Sequence, residues 1–181
     1  MRLALLDRDG VLNVDLPHSV RHPGELEMIP GSAAAVARLN HAGIGVAVVT
    51  NQSVVGRGIV SPELLERIHD RIRAALDREG GRIDAWFVCP DPPERPTERR
   101  KPQPGMLREA LIQFRTAAGD AVMIGDSASD LEAAAAAGCR RILVRTGKGA
   151  ATQARGLAPH LLPVAVHHDL AGAVAALLGR S

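Results

Sequence analysis

Short apolar runs that stop abruptly on polar clusters recur along this chain. Leu3-Ala4-Leu5-Leu6 ends on Asp7-Arg8-Asp9-Gly10, and Ile44 to Val49, nearly all apolar and β-branched, ends on Thr50-Asn51-Gln52-Ser53. Ile83 to Val88 is a third run, Ala121 to Ile124 a fourth that meets Gly125-Asp126-Ser127-Ala128-Ser129-Asp130, and Arg141 to Val144 and Leu161 to Val166 complete the set. Runs without polar alternation predict strands buried on both faces. Between them the apolar period changes to that of a helix. Val36 and Leu39 mark one inner face within Ala33 to His41, after a Gly31-Ser32 cap and before Gly43. Ser61-Pro62-Glu63 is a strong helix start, followed by Leu64, Leu65, Ile68, Ile72 and Leu76 as far as Gly80. Further helices are predicted from Pro104 to Phe114, from Leu131 to Ala137 with Gly138 as cap, and from Leu170 to Leu178. Strands alternating with helices imply parallel βαβ units, hence an α/β fold of three layers with a mainly parallel sheet.

The segments left over are loops. Val11 to Glu27 is irregular, with Pro17, Pro23 and Gly24, and Cys89 to Pro104 holds six prolines, which bars it from helix or sheet. With 181 residues, 46% hydrophobic and 23% charged, the chain is expected to form one domain spanning 1–181. A net charge of +2 and an aromatic set of two Phe, one Trp and no Tyr disfavour nucleic acid as a partner. Cys89 and Cys139 have no repeated spacing, which suits a reducing, cytoplasmic setting. No segment approaches a membrane span, and no heptad seam or apolar stripe argues against a monomer.

In an open parallel sheet the carboxyl ends of the strands are where ligands bind. The first, second and fourth runs place Asp7 and Asp9, Thr50 and Asn51, and Asp126 and Asp130 on that one edge. Taken singly, each cluster also suits an ordinary turn. Four carboxylates gathered together repel unless a cation neutralises them, and an oxygen-only set selects a hard ion such as Mg²⁺. Lys101 adds a positive charge from the proline-rich loop, so the parts are those that hold a phosphoryl group during transfer. One aspartate can attack phosphorus while the second protonates the leaving alcohol and later takes a proton from water. Asp7, nearest the strand and more rigidly held, is assigned as nucleophile, and Asp9 as acid/base.

These residues resemble the haloacid dehalogenase (HAD) superfamily of phosphatases. Asp7-Arg8-Asp9-Gly10 matches its first motif, Thr50 its second, Lys101 its third, and Gly125-Asp126 with Asp130 its fourth. The strings Thr50-Asn51-Gln52-Ser53, Arg100-Lys101-Pro102-Gln103-Pro104-Gly105-Met106 and Leu143-Val144-Arg145-Thr146-Gly147-Lys148 are similar, more narrowly, to the D-glycero-D-manno-heptose-1,7-bisphosphate 7-phosphatase and histidinol-phosphatase family. The resemblance implies a Rossmann-like HAD fold and a Mg²⁺ held by Asp7, Asp126 and the backbone carbonyl of Asp9. It further implies Thr50 and Lys101 on the phosphoryl group, Asn51, Gln52, Ser53 and Arg100 toward the substrate, and Asp130 in support. Relatives often carry a zinc bound by three Cys and one His in the loop before the lysine. Here Cys89 stands with Asp91, Thr97 and Arg99, and one thiolate does not make a tetrahedral site, so structural zinc is predicted absent.

The intervals from Asp7 to Thr50 and from Thr50 to Lys101 are filled by core elements and leave no room for an inserted cap domain. Specificity then falls to the loops at Asp15 to His22, Val54 to Val60 and Pro90 to Arg100. Arg57, Arg99 and Arg100 are candidates to meet a second anionic group, against a reading as solvated surface arginines. The implied substrate is a small phosphorylated sugar, with the 7-phosphate of a heptose bisphosphate first and histidinol phosphate its rival. A polynucleotide 3′-phosphatase and a non-catalytic phosphosugar-binding module are the remaining alternatives. Gly56-Arg57-Gly58 lacks the third glycine of a dinucleotide motif, and Gly147-Lys148-Gly149 lacks the Ser or Thr of a P-loop and reads as a turn. His167-His168 reads as surface, and Cys139 as a small buried hydrophobe.

Overall fold

The computed structural model describes residues 1–179. Six strands, β1 (Leu3–Leu6), β2 (Gly45–Asn51), β3 (Ala85–Cys89), β4 (Ala121–Gly125), β5 (Arg140–Val144) and β6 (Ala165–His167), form one sheet in the order β3-β2-β1-β4-β5-β6. Every pairing between them is parallel. The side chains of the central strands divide between the two faces with period two. Ala4, Leu6, Val46, Val48, Val122 and Ile124 enter one core with α1 (Ser32–His41), α3 (Pro62–Asp77) and α7 (Leu170–Leu178). Leu3, Leu5, Ala47, Val49, Ala121 and Met123 enter the other with α4 (Gly105–Gln113) and α5 (Ala128–Ala137). Burial on both faces is why these strands carry no polar alternation, and it makes the expected three-layer α/β/α arrangement. Between β1 and β2 stand a short 3₁₀ turn and α1, and between β2 and β3 two helices, α2 (Ser53–Gly56) and α3, so no separate cap domain interrupts the sheet.

Two helices were not visible in the apolar pattern. The four residues of α2 include two valines and a glycine, poor helix formers, and Val54 is fixed instead by packing with Val20, Val60, Leu65 and Ile68. Likewise α6 (Gly149–Ala154) follows the expected turn at Gly147-Lys148 and is tied down by Thr152, whose hydroxyl donates to the Asp126 carbonyl at 3.0 Å. The last strand is a correction. Pairing runs over Ala165–His167 rather than Leu161 to Val166, because Pro163 lacks an N–H for the ladder and 159–161 coil into a 3₁₀ turn. Helix α5 also begins three residues before the expected Leu131, where Ser127 and Asp130 cap it. No helix among the described residues is long and apolar enough to cross a membrane.

The strand order reverses direction of winding between β1 and β4, and the crevice beyond their carboxyl ends is where such sheets bind ligands. Asp7, Asp9 and Asp126 follow these two strands, Thr50 and Asn51 end β2, and the loops after β3 and β5 close over the same edge.

Candidate active site

Lys101 is at the centre of the cluster. Its ammonium donates to the Val49 carbonyl at 2.8 Å and to Asp130 Oδ1 at 2.6 Å, and lies 3.1 Å from Asp7 Oδ1. These three acceptors match its three N–H bonds. The side chain is almost wholly buried, and the two carboxylates hold its pKa above the usual lysine range despite desolvation. Asn51 fixes the lysine's backbone from both sides, since its amide donates to the Lys101 carbonyl at 3.0 Å and its Oδ1 accepts from the Lys101 N–H at 3.1 Å.

Burial pushes the Asp7 carboxyl up to about 8, helped by Asp130, Asp126 and Asp9 and opposed by Lys101. Asp126 is raised to about 6, again chiefly by burial, with Asp130 and Asp15 adding and the Lys148 N–H opposing at 2.7 Å. Carboxylate oxygens of Asp7, Asp126 and Asp130 lie within 4.8 Å of one another. That is an oxygen-only set whose charge nothing nearby fully balances, so it fits a hard divalent cation. Asp130 is already committed. Its Oδ2 accepts from the Ser127 N–H at 3.0 Å and the Ser127 hydroxyl at 2.7 Å, while Oδ1 holds Lys101. Asp7 and Asp126 are the carboxylates left for a metal.

Asp9 has a different environment. Arg8 Nη2 reaches both of its oxygens at 3.0 and 2.9 Å, Asn13 donates to Oδ1 at 2.8 Å, and Gln52 donates to Oδ2 at 2.8 Å. Although burial opposes it, these donors, Arg8 foremost, bring the Asp9 pKa below the usual carboxylate value. Gln52 uses its second N–H on the Thr50 hydroxyl oxygen at 2.9 Å, which leaves the Thr50 proton free to donate toward the site. Asn51 and Gln52, expected to meet substrate, therefore use their amides within the protein. Ser53 opens α2, and Arg57 at its end pairs with Glu94 at 2.6 Å, both side chains exposed. Arg100 donates through Nη1 to the Asp91 carbonyl at 2.6 Å, and Arg99 pairs with Glu109 at 2.8 Å.

Several contributors escaped the sequence reading. Arg8, fully buried between two aspartates, turns back into the protein; its type gave no sign of this. The loop after β5 locks onto the one after β1: the Thr146 hydroxyl donates to the Gly10 carbonyl at 2.6 Å, and Gly10 and Gly147, both at positive φ, leave space that a Cβ would take from Asp126. Lys148, quoted in the Leu143 to Lys148 string and otherwise read as part of a turn, reaches Asp15 at 3.0 Å across this seam.

Comparison with known proteins agrees with this geometry. Residues 98–173 match the HAD-hydrolase-like family. A D-glycero-beta-D-manno-heptose-1,7-bisphosphate 7-phosphatase of Bordetella bronchiseptica is 42% identical over 178 residues, covering 98% of each chain. The enzyme of that name from Pseudomonas aeruginosa is 40% identical, covering 97% of each. The crystal structure of the D,D-heptose 1,7-bisphosphate phosphatase from B. bronchiseptica, complexed with magnesium and phosphate, superposes with a TM-score of 0.95 at 41% identity and covers 100% of both chains. A dehalogenase structure at 15% identity, TM-score 0.67, shares the fold. By motif, architecture and near full-length similarity, the chain belongs to the heptose-1,7-bisphosphate 7-phosphatase family of HAD-like hydrolases.

Proposed function

We propose that this chain, as one cytoplasmic monomeric domain, removes the 7-phosphate of D-glycero-D-manno-heptose 1,7-bisphosphate in a Mg²⁺-dependent reaction. The observation that carries the reading is the pairing of Asp7 with Lys101 at 3.1 Å beside Asp126, on an edge where Asp9 is held separately by Arg8, Asn13 and Gln52. The two carboxylates are close in sequence but differ in surroundings. Asp7, in its ionised form, attacks phosphorus and becomes an aspartyl-phosphate, while Asp9, ionised by its donors before substrate arrives, takes up the proton of the monoanionic phosphate ester and gives it to the departing sugar alkoxide. Asp9 then takes a proton from the water that cleaves the acyl phosphate and hands it to the departing phosphate, which restores both groups. Lys101 and the Thr50 hydroxyl hold the non-bridging oxygens as charge shifts among them. A bound Mg²⁺, with Asp7, Asp126 and the Asp9 carbonyl as its protein ligands, supplies Lewis-acid neutralisation of the phosphoryl oxygens.

The heptose assignment is supported by the names of relatives at 40–42% identity over nearly the whole chain. Arg100 is proposed as the contact for the phosphate that stays on the sugar, because it adjoins Lys101 on the loop at the mouth of the site. In that loop Cys89 is the lone thiol, while Asp91, Thr97 and Arg99 are used in hydrogen bonds and an ion pair, which supports a loop without zinc.

Phosphate release with Mg²⁺ over heptose 1,7-bisphosphate, histidinol phosphate and a 3′-phosphorylated oligonucleotide tests the substrate; fastest turnover on either of the latter two overturns it. Asp7→Asn keeps the shape but removes the nucleophile, and is expected to abolish release with the thermal transition intact. Full activity in that variant would sink the mechanism.

A further inference from the structure

The segment between β3 and α4 has no regular structure, yet its course is fixed by hydrogen bonds that converge on one side chain. The Asp91 carboxylate accepts from both the backbone N–H and the hydroxyl of Thr97. Thr97 is six residues on, so these bonds close the proline-rich tip into a ring. The ring then grips Arg100 twice: the Thr97 carbonyl accepts the Arg100 N–H at 3.1 Å, and the Asp91 carbonyl accepts Arg100 Nη1 at 2.6 Å. Outside it, Arg57 meets Glu94 at 2.6 Å and Arg99 meets Glu109 at 2.8 Å, while the Glu98 carbonyl accepts from Gly105 at 2.8 Å where no Cβ would fit. The guanidinium that follows from this loop is therefore aimed by its own neighbours.

We propose that Asp91 is a positioning residue for substrate recognition: by clasping Thr97 it closes the loop and fixes the Arg100 guanidinium at the distance and angle at which it meets the sugar's second phosphate. The proposal rests on Arg100 being that contact. A guanidinium reads a phosphate through a rigid fork of N–H bonds, so its worth depends on orientation. With the clasp opened, the arginine keeps its charge but loses its aim. Ordering the loop and side chain then has to occur on binding, which weakens ground-state affinity and leaves the chemistry at Asp7 alone.

Steady-state kinetics of Asp91→Ala, Asp91→Asn, Arg100→Ala and the double variant test this, with heptose 1,7-bisphosphate compared against heptose 7-phosphate, which lacks the second phosphate. Asp91→Ala is expected to raise KM for the bisphosphate about tenfold with kcat little changed, since a single arginine–phosphate contact loses its aim. The rise should be far smaller for the monophosphate. Asp91→Asn, whose Oδ1 still accepts one Thr97 bond, should fall between. On the Arg100→Ala background, Asp91→Ala should add nothing, as for two residues acting through one contact. Additive effects, or a fall in kcat shared by both substrates, would show a merely structural role and overturn the clasp. If Arg100→Ala raises KM while Asp91→Ala does not, the clasp alone falls. If Arg100→Ala leaves the bisphosphate KM unchanged, the recognition reading falls and the proposal with it.

Discussion

Each reactive group at this site is held by a neighbour that makes no contact with the chemistry. Gln52 shows this most directly, because its two N–H bonds go to Asp9 Oδ2 and the Thr50 hydroxyl and so hold together the carboxylate proposed as acid/base and the hydroxyl proposed to donate to the phosphoryl group. Gln52→Leu keeps the volume and removes both bonds. Displacement of a catalytic group by about 1 Å can cost about a hundredfold, so kcat is expected to fall between about tenfold and a hundredfold with KM near its starting value. Stopped assays across substrate concentration check it, and an unchanged kcat would show that Arg8 and Asn13 suffice for Asp9. The sequence placed Gln52 beside Thr50 but not the direction of its amide. Strand period alone puts residues 50 and 52 on one face, while only the fold brings Asp9 within reach of Gln52.

At the scale of elements, strands buried on both faces were easy to read, since a run such as Val46 to Val49 admits no polar residue. Asp7, Asp9, Lys101 and Asp126 were legible for the same reason, because each follows a strand or its loop on one edge. The seam between the β1 and β5 loops was not. Its glycines answer to a contact across the sheet: Gly147, at φ 55°, has its missing Cβ directed at Asp126 and 2.6 Å from Gly10 Cα. Gly147→Ala adds a left-handed backbone cost of about 1–2 kcal/mol and pushes on Asp126, the carboxylate proposed to hold Mg²⁺. Gly156, at φ 83° with open space around it, isolates the backbone cost alone. Gly156→Ala is expected to lower the melting temperature without altering Mg²⁺ dependence. Gly147→Ala should do both, raising half-saturating Mg²⁺ about tenfold for each roughly 1.4 kcal/mol lost at the site. Equal Mg²⁺ titrations in the two variants would show that Asp126 tolerates the intrusion.

For the molecule as a whole, the buried carboxylates couple folding, protons and metal. In the metal-free fold the Asp7 carboxyl titrates at about 8 and Asp126 at about 6, whereas unfolded they lose their protons near the usual carboxylate value of 3.8. Between these limits the folded state binds more protons, so their contribution to stability is present at low pH and is lost as pH rises through about 6 and then about 8. His69, stacked on Trp86, has the opposite sign: burial lowers it to about 4, so its contribution is lost as pH falls below its ordinary 6.5. The lowered carboxylates Asp9, Asp91 and Asp169 act below 3.8. From about pH 6.5 to about pH 8.5, then, Asp7 dominates among these groups. A divalent cation held on Asp7 as proposed would displace its proton, so its binding is expected to strengthen with pH across that window. At one fixed Mg²⁺ concentration, the rise in melting temperature over an EDTA-treated sample is expected to be larger at about pH 8.5 than at about pH 6.5. Asp7→Asn, which carries no proton to displace, should show no such difference. Equal stabilisation of the native protein at both pH values would mean that the carboxylate cluster is already ionised before the metal arrives.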